Sequence, residues 1–516
     1  MAEYSKKIVK GTITVLIFTF LSALLGYVLK FVFARYLQVE EIGLFYSVLG
    51  FILFFAFIRD LGLSDSLTYF IPRFKVDNKK KNIKSAILFT LYIQMAIGIL
   101  FAVVFVALSN TLVKYYFKDE RALFLILGLA FYFVIEGIYE VLFQSFQGFQ
   151  DMFLFQGLEF SFQVISLAFF LVFIFAKIPI TYFAIVYLIS MIISTTIFFV
   201  LFVKKLFPDF FYIKTKISKK LKKEMLEYSF PTMMGSLAGT IFSQQSVFFL
   251  TFFVGLEAVG YYVMAHALAK ISIFFFKAVN FVFSPIMSEM WKKKDIKSLN
   301  YYFNEMITYT YVVGVPMVLA LVVFPQEILR ILYSDSFLPA SQALMLLAFY
   351  YPFFSFNSLF KRAFLSAGMP KLARNATYAT LIVNLVFNIV LIPTYGLLGA
   401  VIADIVSIAI TTIYVLYLNH KHLSILIDKN KLVRVIVAST LFIISAAVLK
   451  HIINMPIILE LILVLIIAGG TYIGAIFALG IISFKKIIFV LDLITNKKFR
   501  HYFLKEEKVP IKDTPK

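Results

Sequence analysis

The chain has 516 residues, of which 61% are hydrophobic, 18% aromatic and only 15% charged, with no cysteine. Soluble globular chains are about 45–50% apolar and about 25% charged, so this composition excludes one; the missing cysteine also excludes disulfides, thiol catalysis and thiolate-bound metals. The net charge of +21 would point to nucleic acid in a soluble protein, but here the basic residues gather between apolar runs, where their first effect is on membrane topology.

Apolar runs recur at the length of about 20 residues that a helix needs to cross a hydrocarbon core of about 30 Å. In chain order, about fourteen spans are expected near 11–35, 43–64, 84–108, 122–146, 155–176, 182–203, 229–254, 259–285, 305–325, 338–360, 374–393, 396–418, 434–449 and 457–483. The first follows Lys6, Lys7 and Lys10 as a secretory signal would, yet it is too long and lacks an A-x-A cleavage site, so it reads as a retained span. The expected class is an all-α polytopic membrane protein, because barrel strands would show segments of about ten residues with alternating polarity.

With the N-terminus in the cytosol, and residues at span ends counted with the adjoining loop, 38 of the 49 Lys and Arg fall inside and six outside. This bias places both termini in the cytosol and the protein in the cytoplasmic membrane. The longest outside loop, 109–121, is too short to hold a catalytic domain. VEEIGLFYSV (Val39–Val48) and LEAVGYYVMA (Leu256–Ala265) occupy the same place after the first span of each half, at an offset of 217 residues. The expected organisation is therefore a six-helix bundle at 1–203, a basic cytosolic linker at 204–228, and a second six-helix bundle at 229–418. Two additional spans at 419–483 and a basic cytosolic tail at 484–516 follow. Related halves of this kind face each other across a central cavity near the bilayer midplane.

Three stretches carry a family resemblance: FARYLQVEEIGLFYSVLGFILFFAFIRDLGL (Phe33–Leu63), VGYYVMAHALAKISIFFFKAVNFVFSPIMSEM (Val259–Met290) and FLSAGMPKLARNATYATLIVNLVFNIVLIPTYGLLGAVIADIVS (Phe364–Ser407). The chain resembles the polysaccharide-biosynthesis (Wzx-type) flippases of the MOP superfamily, relatives of the lipid II flippases and of the MATE exporters. The resemblance implies a monomeric transporter rather than an enzyme. Its implied partners are a polyprenyl-diphosphate-linked glycan, membrane lipids and glycan-assembly enzymes, with no nucleic acid. It carries over no catalytic residue and no cofactor, so the site rests on the residues themselves.

His266, Lys270, Lys277 and Asn280 recur at helical spacing on the eighth span, on one stripe. A charge near the midplane, as at Lys270, costs about 2.5–3.5 kcal/mol unless it faces water or a counter-ion. A diphosphate is the ligand such a stripe suits. The 217-residue offset carries Arg59 and Asp60 of the second span onto Phe276 and Lys277, so charge recurs at one depth in both halves. Lys30 and Arg35 sit toward the outer end of the first span, where reaching for the interface is the default for long basic side chains and receiving the headgroup on the outward side is the alternative. Glu136, Glu140 and Gln144 form a stripe on the fourth span, and Asp404 lies within the twelfth. With Asp60 these carboxyls are the candidates for coupling to H+ or Na+, or for static pairing with a buried cation. Thr380, Asn384 and Asn388 on the eleventh span, and Ser243 and Gln244 on the seventh, are candidates for sugar hydroxyls or for helix packing. Pro316 and Pro352 fall inside predicted spans and invite kinks. No phosphate-binding loop, H-E-x-x-H helix or G-x-S-x-G elbow occurs. The function expected is flipping of the lipid-linked glycan; the alternatives are an ion-coupled exporter of small molecules and a membrane glycosyltransferase or polymerase.

Overall fold

Residues 2–273, 287–453 and 455–482 are described by the structure, a computed structural model; Lys277, Asn280 and the tail 484–516 lie outside them. The chain divides into two compact units, Met1–Phe274 with Phe324–Ser424, and Phe275–Val323 with Ile425–Lys516.

The first unit contains α1 (Ala2–Tyr36), α2 (Val39–Phe54), α3 (Ala56–Asp60), α4 (Leu63–Val76), α5 (Lys80–Leu112), α6 (Ala122–Gly148), α7 (Met152–Phe175), α8 (Phe183–Leu201), α9 (Lys219–Phe253) and α10 (Leu256–Lys270). In the second unit lies α11 (Ile296–Val323). The chain returns to the first unit for α12 (Pro325–Leu332), α13 (Ser341–Ser366) and α14 (Pro370–His422), then closes the second with α15 (Lys429–Ile452) and α16 (Ile457–Ala478). Eleven described segments are long and apolar enough to cross a membrane. Asp151, Ser218 and Asp428 start α7, α9 and α15 by accepting a backbone N–H with their side chains, satisfying one of the donors a helix start leaves unpaired.

Over the described residues each predicted span falls on a helix, with three differences. The second span is interrupted at Phe55 and again at Leu61–Gly62, where both residues are left-handed. Hydropathy is blind to such breaks because the residues around them stay apolar. The eleventh and twelfth spans are joined through Gly396, whose φ of 56° and ψ of −128° a side-chain-bearing residue rarely adopts. In the eighth span, α10 ends at Lys270.

A reciprocal contact displays the internal repeat. A Cβ placed on Gly43 would lie 1.8 Å from the carbonyl oxygen of Leu256, and one on Gly260 would lie 2.2 Å from that of Val39. Val39 corresponds to Leu256, and Gly43 to Gly260, at the same offset of 217 residues. The starts of α2 and α10 therefore cross backbone to backbone, which only small residues permit. The helix ends repeat too, α2 stopping at Phe54 and α10 at Lys270, one residue short of that offset.

In the second unit, Asn304 Nδ2 donates to the carbonyl of Leu426 at 2.7 Å and its Oδ1 accepts from the amide of Asp428 at 2.7 Å. Lys431 pairs with Glu305 at 2.6 Å. These contacts fix the start of α15 against α11.

Candidate functional site

The crossing of α2 and α10 leaves room beyond it. Up to three turns further along each helix, the walls separate around a cavity of about 460 Å³ lined by α1, α2, α9, α10, α13 and α14. Lys30 reaches it from α1, and His266 and Lys270 from α10. Most of the wall is apolar or aromatic, with Tyr46, Phe242, Tyr262, Tyr350, Tyr351 and Phe354 prominent. Lys30 Nζ sits 5.4 Å from the centre of the Tyr46 ring, within cation–π range. His266 stands 3.2 Å from the Tyr351 hydroxyl. Lys270 occupies the last turn of α10, where the negative end of the helix dipole favours a cation by about 0.3–1 kcal/mol.

The predicted site residues divide into three groups. Lys30, His266, Lys270, Ser243, Gln244 and Asp404 all line the cavity. Lys30 thus faces the cavity, with the Tyr46 ring of α2 beside it.

Arg59 does not line it. Its side chain is 2% exposed and pairs with Glu136, donates to the carbonyl of Phe133 at 2.5 Å, and lies 4.5 Å from the Phe133 ring centre. Glu136 is therefore committed to Arg59 and does not balance Lys270. Beside this pair, Asp60 accepts from Gln94 at 2.6 Å and from the Ser64 amide at 3.1 Å, and Gln144 donates to Glu140 at 2.8 Å. Arg35 also lies elsewhere, donating to the carbonyl of Ile331 in α12.

The third group surrounds Asp404. Its carboxylate accepts from the Tyr262 hydroxyl at 2.7 Å, from Asn384 Nδ2 at 2.9 Å and from Ser246 Oγ at 3.5 Å. Asn388 donates to Asn384 at 2.9 Å and to Ser246 at 3.3 Å, and Gln245 also donates to Asn384. Both asparagines are fully buried; Asn384 serves Asp404 directly, and Asn388 holds Asn384 and Ser246, so neither amide faces the open cavity. Thr380 is satisfied by the Ala376 carbonyl at 3.0 Å. The tyrosines escaped sequence reading, although hydroxyls within predicted spans at 46, 262, 350 and 351 were the available signal.

Comparison with known proteins fits this architecture. The family model described as polysaccharide biosynthesis protein matches residues 8–291, more than half of the chain. The chain belongs to that family. A MatE model matches residues 231–394, within the second half. This polysaccharide biosynthesis protein is 28% identical over 514 residues, 96% of its length and all of the relative's, to an uncharacterized membrane protein of Methanocaldococcus jannaschii. Over 206 residues, 39% of this chain and 44% of the relative, it is 28% identical to a probable low-salt glycan biosynthesis flippase of Haloferax volcanii. Its fold is similar to that of the lipid II flippase MurJ in an inward closed conformation, with a TM-score of 0.74, 17% identity, and coverage of 93% of this chain and 100% of that one. An inward-facing MATE transporter of the MOP superfamily gives a TM-score of 0.61 at 17% identity, covering 76% and 93%. The chain is thus a multi-pass membrane protein of the polysaccharide biosynthesis family whose fold is that of MurJ and the MATE transporters.

Proposed function

We propose that this protein flips a polyprenyl-diphosphate-linked oligosaccharide across the cytoplasmic membrane by alternating access, with both termini in the cytosol. The observation that carries the reading is that Lys30 from the first half and Lys270 from the second line one cavity whose wall is otherwise mainly aromatic. A multiply anionic headgroup repays that placement. Two unit charges about 4 Å apart attract by roughly 4 kcal/mol at an effective dielectric near 20, which exceeds the cost of burying one lysine. Aromatic faces and the polar ends of Ser243 and Gln244 offer surfaces for sugar rings and hydroxyls. The name of the Haloferax relative supports the glycan reading.

The test is translocation of a lipid-linked oligosaccharide by purified protein in vesicles. Lys30→Ala and Lys270→Ala should each lower the rate by about a hundredfold, the worth of one charge-assisted contact near 3 kcal/mol. An unimpaired Lys270→Ala removes the cationic cavity from the mechanism.

Asp404 favours an additional ion-coupled element in either a flippase or an exporter. A carboxylate held by three donors at the cavity edge is placed to exchange H+ or Na+ as the cavity opens and closes. Asp404→Asn keeps the shape and most of the hydrogen bonds. It should abolish the response of transport to an imposed pH or Na+ gradient while leaving thermal stability within about 1 kcal/mol of wild type. Gradient dependence that survives the substitution assigns coupling elsewhere, with Asp60 and Glu140 next in line.

A further inference from the structure

Between α8 and α9 the chain does not simply hang as a charged loop. It makes two short turns, 202–206 and 208–210, and runs on in irregular form to Ser218. Phe202, Phe207 and Phe210 are buried in the same apolar cluster as Phe70, Phe146 and Phe149. Asp209 pairs with Lys80 at 2.6 Å, the carbonyl of Ile213 accepts from Lys84 at 2.8 Å, and Thr215 donates to the carbonyl of Lys81 at 3.2 Å. The segment is thereby strapped onto the α4–α5 turn.

Its other side is unlike a solvated loop. Phe211 is 66% exposed and Tyr212 86% exposed, side by side. Tyr212 borders a depression rimmed by Lys79, Lys80, Lys81 and Lys214. From Lys204 to Glu224 there are eight lysines against two acidic residues, and one of those two, Asp209, is already taken by Lys80.

We infer that this strap docks on anionic phospholipid headgroups of the adjacent leaflet, with Phe211 and Tyr212 entering the interface and the lysine-rimmed depression holding a headgroup phosphate. Charge complementarity selects an anion, and lysines near an anionic leaflet are attracted to it within a Debye length. The paired exposed rings select a lipid over a soluble ion. Aromatic side chains settle at the headgroup level of a bilayer, whereas a free phosphate would leave both rings in water. The strap, tied to the end of α4 and the starts of α5 and α9, would thus register these helices against the membrane surface.

The absence of cysteine gives a direct test. A Lys216→Cys protein labelled with a polarity-sensitive fluorophore is placed in nanodiscs of phosphatidylcholine with and without phosphatidylglycerol; a Lys118→Cys label on the outside loop serves as control. The strap label should shift to the blue only with phosphatidylglycerol, and the control should not respond. Lys214→Gln should raise the phosphatidylglycerol content needed for half the shift by about fivefold, and the triple variant Lys79→Gln, Lys81→Gln, Lys214→Gln should abolish it. Identical spectra in the two lipids overturn the proposal, as does a triple variant that responds like the parent. Inorganic phosphate reproducing the shift in detergent, without lipid, overturns the choice of a headgroup in favour of a soluble anion.

Discussion

Arg59→Ala should lower stability by about 3 kcal/mol, because it strands Glu136 as a largely buried, uncompensated carboxylate. The guanidinium is 2% exposed and also satisfies the Phe133 carbonyl, so one substitution removes a counter-ion, a hydrogen-bond donor and the packing against the Phe133 ring. Removing both charges should cost much less: Arg59→Met with Glu136→Met replaces the pair by apolar groups of similar size, which is often near neutral. Thermal unfolding of the purified variants in one detergent reads both. If the single variant is as stable as wild type, the pair contributes nothing to holding α3 against α6.

Gly43→Ala is expected to be nearly as damaging despite adding a single carbon. Alanine favours a helix over glycine by about 0.8–1 kcal/mol, so at an open position it should stabilise. Gly26, where an added Cβ meets nothing within 4 Å, is the control. At Gly43 the new carbon would sit 1.8 Å from the Leu256 carbonyl oxygen. The helices must separate, at a cost of about 3 kcal/mol or more for backbone displaced in a packed interior. Gly260→Ala should lose a comparable amount by the mirror-image contact with Val39. A Gly43→Ala protein that unfolds together with Gly26→Ala would show that α2 and α10 do not touch there.

The fold was legible because crossing a bilayer imposes one length and one polarity on every span, and the loops then carry the charge bias. The 217-residue offset read from two ten-residue stretches reappears as the paired glycine contact. Less was legible at the site. Lys270 and His266 declared themselves as charges out of place, but Lys30 was indistinguishable from a side chain reaching for the interface until Tyr46 was seen beside it. Arg59 looked like a cavity residue for the same reason that Lys270 did; its partner, Glu136, comes from another helix, and only tertiary packing reveals such pairing. The sequence leaves the asparagines at 384 and 388 open between sugar hydroxyls and helix packing; the bond from Asn384 to Asp404 depends on how α14 doubles back at Gly396.

The glycine crossing has a consequence for how such a molecule arises. A patch that meets its own copy, so that i touches j and j touches i, is the mark of an isologous interface in a two-fold dimer. Here both copies reside on one polypeptide, so the halves need not be identical, yet at this seam each must still answer the other. Away from the seam, one half has evolved an arginine–glutamate pair in its interior and the other a carboxylate cradled by amides and hydroxyls.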